Sequence, residues 1–410
     1  MPVITKPGRP IRVALLTTYY HPIIGGVESH TRQVAAELQR RGFDVVVVTR
    51  RLEATIEQPE MLEGVTMNRV GPRGGRTRFA KWFLVPFALR ALFRMRPRPD
   101  VIFCPDFRGI GLAALAAGRM LRRPVVLQAE TPGALSCSSW DTDLARAGIS
   151  SDGWVARQLK RPLRRAYASA TMYNCISREI EDEALSCGVQ ASRLARIPHG
   201  VDVDRFRPAS PEERDRERAS RGWPADGLLC LFLGRLSVEK GILDLLEAWT
   251  HVDEAMLVVV GPDMPGHPLD AGPEARSFVE RRGLGGRVLF AGPASDPAPL
   301  LKAADVFVQP SHYEAFGISA IEALASGLPV VATRTGGLAG FLAHEDNALL
   351  CAPGSPSELA REVNRLLQDP ELRQTLGARG RDTAVRSFDK NVVADSYARL
   401  FRTLAGPRSP

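Results

Sequence analysis

Two segments of this chain hold charged side chains where a ligand's charge or hydroxyls could meet them. In LFLGRLSVEKGILDLLEAW (231–249), an apolar run ends at Gly234-Arg235, and Lys240-Gly241 opens a helical pattern. Arg235 and Lys240 would stand together at a strand C-terminus and a helix N-terminus. Two cations there can neutralise a departing diphosphate; two solvated surface charges are the bland alternative. In ADVFVQPSHYEAFGISAIEALASGLPVVAT (304–333), Glu314 ends a loop after an apolar run, and Glu322 lies eight positions on in a helical pattern. Ala315-Phe316-Gly317-Ile318 would form that helix's first turn, whose backbone N–H groups are free for a ligand. Glu322 falls among Ile318, Ile321, Leu324 and Ala325, so its carboxylate should be nearly buried and in need of a donor. Sugar and ribose hydroxyls are such donors; an ion pair is the structural alternative. Gly25-Gly26, between an apolar run and a helical pattern, would let backbone amides approach a phosphate, although a tight turn alone also explains them. No GxGxxG and no GxxxxGK[ST] occurs, which argues against hydride transfer on a dinucleotide and P-loop hydrolysis.

The elements that must position these residues are legible as short apolar runs separated by helical patterns. In the first half, IRVALLTTYY (11–20), DVVVVT (44–49), GVTMNRV (64–70), DVIFC (100–104), RPVVLQA (123–129) and ATMYNCIS (170–177) read as strands. Val27, Val34, Ala35 and Leu38 form one helical stripe that Gly42 ends. The runs lack polar alternation, as expected of strands buried on both faces of a parallel sheet. The pattern restarts with LLCLFLG (228–234), AMLVVVG (255–261), RVLFAG (287–292), ADVFVQP (304–310) and LPVVAT (328–333). Between the halves, PASPEERDRERASRGWPADG (208–227) reads as an exposed connection. The expected architecture is α/β: two Rossmann-like doubly wound domains, with strand C-termini on either side of a cleft.

Composition agrees with a globular chain of two or three domains: 410 residues, 44% hydrophobic and 24% charged. The six cysteines have no metal-ligand spacing and read as buried small hydrophobes in a reducing compartment. The start, MPVITKPGRP, has no apolar leader core, and no run reaches the roughly 18 residues of a spanning helix. A cytoplasmic protein is expected. Residues 1–200 hold 30 basic against 17 acidic residues, whereas the remainder is net acidic. A basic half suggests a polyanionic partner. In 73–99, arginines interleave with Phe79, Trp82, Phe83, Phe87 and Phe93, and 156–166 is a second basic cluster. Pro86 should break or kink the first segment. Such composition fits an anionic membrane surface; a helix packed on the sheet with solvated arginines is the alternative. No nucleic-acid-binding module is visible, so nucleic acid is not an expected partner.

Taken in order, GG at 25–26, IPHGVDVDRFRP (197–208), GR…KG (234–241), the Glu314/Glu322 pair, GLPVVAT and TGG (335–337) resemble the family 4 glycosyltransferases of the two-domain GT-B type across nearly the whole chain. The resemblance implies an acceptor-binding domain over 1–200, a nucleotide-sugar-binding domain over 208–385, and a closing segment, 386–410, returning to the first domain. It implies a retaining transfer of a hexose-type sugar from a nucleotide-diphosphate sugar to a hydroxyl acceptor. No metal or other cofactor is expected, because no DxD is placed for one and Arg235, Lys240 and helix N-termini can meet the diphosphate charge. Lipid-linked and polysaccharide precursors are among the acceptors it allows. Arg235 and Lys240 match the diphosphate binders, and Glu314 the carboxylate that meets the transferred sugar. The amides of Phe316, Gly317 and Ile318 match sugar and phosphate contacts, Glu322 the ribose binder, and Gly25 and Gly26 the loop over the phosphates. The chain departs from the family pattern on the acceptor side: Glu130 stands near a common histidine, His199 replaces the usual Asn, and Ala339-Gly340 replace Pro-Glu. Asp141-x-Asp143 has metal-binding spacing but sits in a polar loop, Asp202-x-Asp204 reads as a cap, and His312, beside Glu314, reads equally as a sugar contact or a loop histidine. A sugar-nucleotide epimerase and a catalytically silent sugar-nucleotide-binding subunit are the alternative functions.

Overall fold

Apolar runs with no polar face cannot lie on a surface, and here they form two sheets in two units, residues 1–198 with 390–410 and residues 199–389. In this computed structural model the described residues are 9–23, 25–51, 60–72, 80–141, 149–151, 153–252 and 255–406. The first unit runs β1 (Arg12–Leu16), α1 (Gly26–Arg40), β2 (Asp44–Arg50), β3 (Glu60–Leu62), β4 (Val65–Val70), α2 (Ala80–Arg94), β5 (Val101–Pro105), α3 (Gly111–Leu121), β6 (Val125–Ala129), α4 (Trp154–Ala168), β7 (Met172–Cys175), α5 (Arg178–Ser186) and β8 (Leu194–Ala195). The second runs α6 (Pro211–Ala219), β9 (Leu228–Leu233), α7 (Ile242–Trp249), β10 (Ala255–Val260), α8 (Gly272–Arg281), β11 (Val288–Gly292), α9 (Ala298–Ala303), β12 (Val306–Gln309), α10 (Ile318–Ala325), β13 (Val330–Thr333), β14 (Leu349–Cys351), α11 (Pro356–Gln368) and α12 (Pro370–Phe388). The last helix, α13 (Lys390–Ala405), belongs to the first unit.

The first sheet has the order β3-β4-β2-β1-β5-β6-β7-β8, parallel except for the β3–β4 pair. Its central register pairs Val13 with Val45 on one side and with Val101 on the other. The sheet grows in opposite directions from β1, so right-handed crossovers place α1 on one face and α2, α3 and α4 on the other. Accordingly α1 packs with α13, and α3 packs with both α2 and α4. Val13, Leu15, Val47 and Phe103 of the strands join Tyr397 and Phe401 of α13 in one core. The second sheet is wholly parallel, β11-β10-β9-β12-β13-β14. Its core gathers Phe232, Trp249, Leu257, Val306 and Val331. The strand order reverses between β9 and β12, and a doubly wound sheet binds its ligand at such a point, beyond the strand C-termini.

Three local expectations are corrected. Helix α2 runs through Pro86 as one element, because Pro86 faces solvent while Leu84, Ala88, Ala91 and Leu92 bury the opposite stripe. The polar stretch 208–227 is not merely an exposed connection: Ser210 and Glu213 form a capping box for α6. From that helix the buried Arg218 bonds the carbonyls of Ala303 and Gly227 and pairs with Asp305 at 2.5 Å. Third, the helix after Glu314 starts at Ile318, not at Ala315. Gly317 has φ +97°, which is outside helical geometry, and a Cβ there would lie 2.3 Å from Leu338 Cδ2. Five of the six cysteines are buried, and Cys187 is half-buried. Among the described residues no helix is long and apolar enough to cross a membrane.

Candidate active site

The loops after β9 and β12 meet at the reversal point of the second sheet. Gly241 makes the approach feasible: its φ is +67°, and a Cβ would lie 2.0 Å from the Pro310 carbonyl oxygen. Backbone bonds then lace the loops together, His312 N to Glu239 O at 2.9 Å and Gly337 N to Glu314 O at 2.8 Å. The second bond brings the TGG segment to the backbone of Glu314.

Lys240 ends a 3₁₀ turn (Val238–Lys240) just before α7, and its Nζ donates to Glu314 Oε2 at 2.6 Å. Gln309 Nε2 donates to the same oxygen at 2.6 Å, and Ser319 Oγ donates to Gln309 Oε1 at 3.3 Å. The sequence reading brings Arg235 and Lys240 together; the structure sets each against its own carboxylate. Arg235 is half exposed, with Nη2 3.8 Å from Glu239 Oε2, a weak pair on a solvated rim. Sequence reasoning misses Gln309, although a buried polar residue ending the apolar run VFVQ is the available signal. Ser237 and Ser311, in the two loops, are buried, and their hydroxyls have no hydrogen-bond partner among the described residues.

Glu322 is half-buried on α10, and its carboxyl makes no hydrogen bond among the described residues. Burial pushes its pKa up to about 8; Asp296 adds to the rise and Arg205 opposes it. The donor expected for Glu322 is therefore not supplied by the described residues. Phe316 is buried, edge-on to His199 at 5.0 Å and beside Phe341 and Phe388 at 6.0 Å each. His199, read with the acceptor side, thus lies in the second unit against the loop that precedes α10. His312 faces Asp244 at 2.8 Å, and Asp202 Oδ1 accepts from the amides of Asp204 and Arg205, which is a cap. Asp141 pairs with Lys160, and Asp143 lies outside the described residues.

In the first unit, Gly25 caps α1 with an extended backbone, and a Cβ on it would meet Glu28 Oε2 at 2.3 Å. An acidic side chain thus sits where a phosphate would approach that helix end. Glu130 follows β6 and is buried. Gln128 Nε2 donates to its Oε1 at 2.7 Å, while Gln128 Oε1 accepts from Tyr397 OH at 2.6 Å and Asn174 Nδ2 at 2.8 Å. Beyond β5, Arg108 Nε donates to Asp106 Oδ1 at 2.8 Å, and Asp106 has φ +46°, a strained value for a non-glycine. Burial opposes the charge of Arg108, but Asp106 and Glu130 outweigh it and raise its pKa. A PDFRG segment directly after an apolar strand is the sequence signal for this pair.

Two doubly wound α/β units in one chain are the fold class of the GT-B glycosyltransferases. Residues 24–205 match the family model "Glycosyltransferase Family 4" and residues 213–383 match "Glycosyl transferases group 1". The chain belongs to the family 4 glycosyltransferases. It is 26% identical to glycogen synthase of Mycobacterium tuberculosis, over 98% of this chain and 97% of that protein. It is similar to the solved sucrose-phosphate synthase from Thermosynechococcus elongatus, with 26% identity, a TM-score of 0.77, and coverage of 96% and 99%. HepE of Anabaena, solved with UDP and glucose, shares the fold at 22% identity and TM-score 0.75, with coverage of 95% and 99%.

Proposed function

We propose that this protein moves a hexose-type sugar, with retention of configuration, from a nucleotide-diphosphate sugar to an acceptor hydroxyl. The convergence of Lys240, Glu314 and Gln309 at the reversal point of the second sheet carries this reading. Lys240 and Arg235 meet the diphosphate, and Glu314 accepts from hydroxyls of the transferred sugar. Glu322 accepts from the ribose, and the backbone of Phe316, Gly317 and Ile318 supplies amides to sugar and phosphate. Of the first unit's residues, Gly25 and Gly26 are assigned to phosphate contact and Glu130 to the acceptor. The names of the relatives, glycogen synthase and sucrose-phosphate synthase, and HepE's bound UDP and glucose, support a sugar-nucleotide donor.

The acceptor oxygen bonds the anomeric carbon on the face from which the diphosphate leaves. The anomeric C–O bond breaks with its electron pair going to the diphosphate, and the acceptor proton passes to a diphosphate oxygen. Lys240 and Arg235 face charge that grows during this step, which is where electrostatic contacts accelerate chemistry. Protein cations thus take the role a divalent metal could play, and the reaction needs no cofactor. The acceptor class is a lipid-linked or polysaccharide precursor, used on the cytoplasmic side of a membrane; the basic composition of 156–166 and of 73–99, of which 73–79 lie outside the described residues, supports that side. A screen with labelled nucleotide sugars tests the reading. Label in an acceptor supports it; an isomerised donor would make the protein an epimerase, and binding without turnover a silent subunit.

A further inference from the structure

We infer that α4, with the outer turns of α2 and the end of α3, is the face by which this protein docks on an anionic lipid bilayer. The inference deepens the membrane-side reading above by naming the surface and the way it holds on. Helix α4 turns two unlike sets of side chains to solvent. Trp154 is 70% exposed, and Val155 and Leu159 are exposed beside it. Arg157, Arg161, Arg164 and Arg165 are exposed on the same helix, and none makes an ion pair among the described residues. Lys160 is the exception, turned inward to Asp141 and the Ser151 carbonyl. The four arginines, Lys160 and Cys187 line a groove of about 410 Å³.

The helix is firmly seated behind this face. Ala156 and Tyr167 are buried, and Tyr167 OH accepts from Gly109 N at 3.1 Å while its ring packs 4.7 Å from Phe107. The outward residues are therefore a fixed surface rather than a loose end. Next to it, α3 ends with Met120 66% exposed between Arg119 and Arg122, and α2 exposes Phe83, Phe87, Arg90 and Arg94. These helices share one layer on the first sheet, so the apolar and cationic residues belong to one side of that unit.

The mixture selects the occupant. Unpaired arginines attract any polyanion, but a free anion or a nucleic acid backbone gains nothing from exposed Trp154, Val155 and Leu159. A bilayer interface satisfies both sets, because phosphates meet the guanidinium groups while the apolar side chains enter the acyl boundary. Exposed apolar side chains clustered on one surface are what such a docking site requires.

The test uses the full chain and two kinds of vesicle, phosphatidylcholine alone and phosphatidylcholine mixed with phosphatidylglycerol. The protein should sediment with the anionic vesicles at low salt and be released as salt rises. The triple variant Arg161→Ser/Arg164→Ser/Arg165→Ser should lose on the order of a hundredfold in affinity, at about fivefold per arginine. Trp154→Ser/Leu159→Ser should lose roughly tenfold or more on the same vesicles. A fluorophore on Cys187, the cysteine that is not buried, should shift to the blue on binding. Both variants should release nucleotide from the donor at the wild-type rate, which separates this surface from the transfer site. Equal recovery with neutral and anionic vesicles would overturn the inference. So would unchanged binding by Trp154→Ser/Leu159→Ser together with competition by inorganic phosphate, which would make the groove a site for a free anion.

Discussion

Lys240 Nζ and Glu314 Oε2 stand 2.6 Å apart, joining the loop after β9 to the loop after β12. Both side chains are mostly buried, so the pair is held in a medium where a lone charge is costly. The two residues assigned to opposite ends of the donor thus neutralise each other until a ligand takes both. A diphosphate can draw off Lys240, and sugar hydroxyls can donate to Glu314, so each half of the donor replaces what the other removes.

Replacing Lys240 by Ala should lower turnover about a hundredfold or more, the effect of removing one preorganised donor. Glu314→Ala should also cripple transfer, because the sugar loses a charged hydrogen-bond partner. Steady-state kinetics with the working donor measure both. The losses should not add in Lys240→Ala/Glu314→Ala, since each single change already strands its partner. Near-wild-type turnover in both single variants would remove this pair from the active site.

Glu322 gives a prediction with a definite sign. Its carboxyl is raised from 4.5 to about 8, chiefly by burial. Between these values the folded protein keeps a proton that the unfolded chain has lost, so stability falls as pH rises through this window. Glu322→Gln should flatten that part of the pH–stability curve in denaturant unfolding. Ribose hydroxyls donating to Glu322 favour its charged form, so donor binding near neutral pH should release a proton. Calorimetry in two buffers of different ionisation enthalpy would read this release, and Glu322→Gln should abolish it. The same variant should weaken donor affinity more than turnover at saturating donor, because a ribose contact is remote from the breaking bond.

What the sequence makes legible follows from the physics of each element. Strands such as DVVVVT and AMLVVV have no polar face, so burial on both sides leaves no other reading. The edge strands β3, β8 and β14 have two or three residues each, too few for any periodicity. Helix α6 is hidden because PEERDRERA is polar on nearly every side, and it is fixed by Arg218 reaching Asp305, far along the chain. The positions of Lys240, Glu314 and Glu322 can be read from spacing, but their contacts cannot. The Lys240–Glu314 bond depends on Gly241 lying against Pro310, a tertiary event.

Charge on the leaving diphosphate is assigned to Lys240, Arg235 and backbone amides. Transfer should therefore persist in EDTA at its untreated rate. Loss of turnover in the chelator, restored by magnesium or manganese, would show that a metal shares that work.

Glu130, proposed above to serve the acceptor, is held through Tyr397, which comes from the last helix yet reaches the first sheet. Its OH donates to Gln128 Oε1, and Asn174 donates to the same oxygen. With that oxygen occupied, the Gln128 amide presents its N–H to Glu130 Oε1. Gln128 and Asn174 are fully buried, so the chain of bonds has one satisfied arrangement and fixes the carboxylate. Tyr397→Phe keeps the ring in its core among Phe103 and Phe401 and removes only the hydroxyl. The variant should lose about 1–3 kcal/mol of stability, because the hydroxyl both donates to Gln128 Oε1 and accepts from Asn174 Nδ2 at 3.1 Å, and those partners are buried. If Glu130 orients the acceptor hydroxyl, Tyr397→Phe should slow acceptor-dependent transfer several-fold while hydrolysis of the donor by water stays unchanged. Glu130→Gln should repeat that pattern more strongly. Equal losses in transfer and hydrolysis would place Glu130 in the scaffold and move the acceptor to the neighbouring Asp106–Arg108 pair.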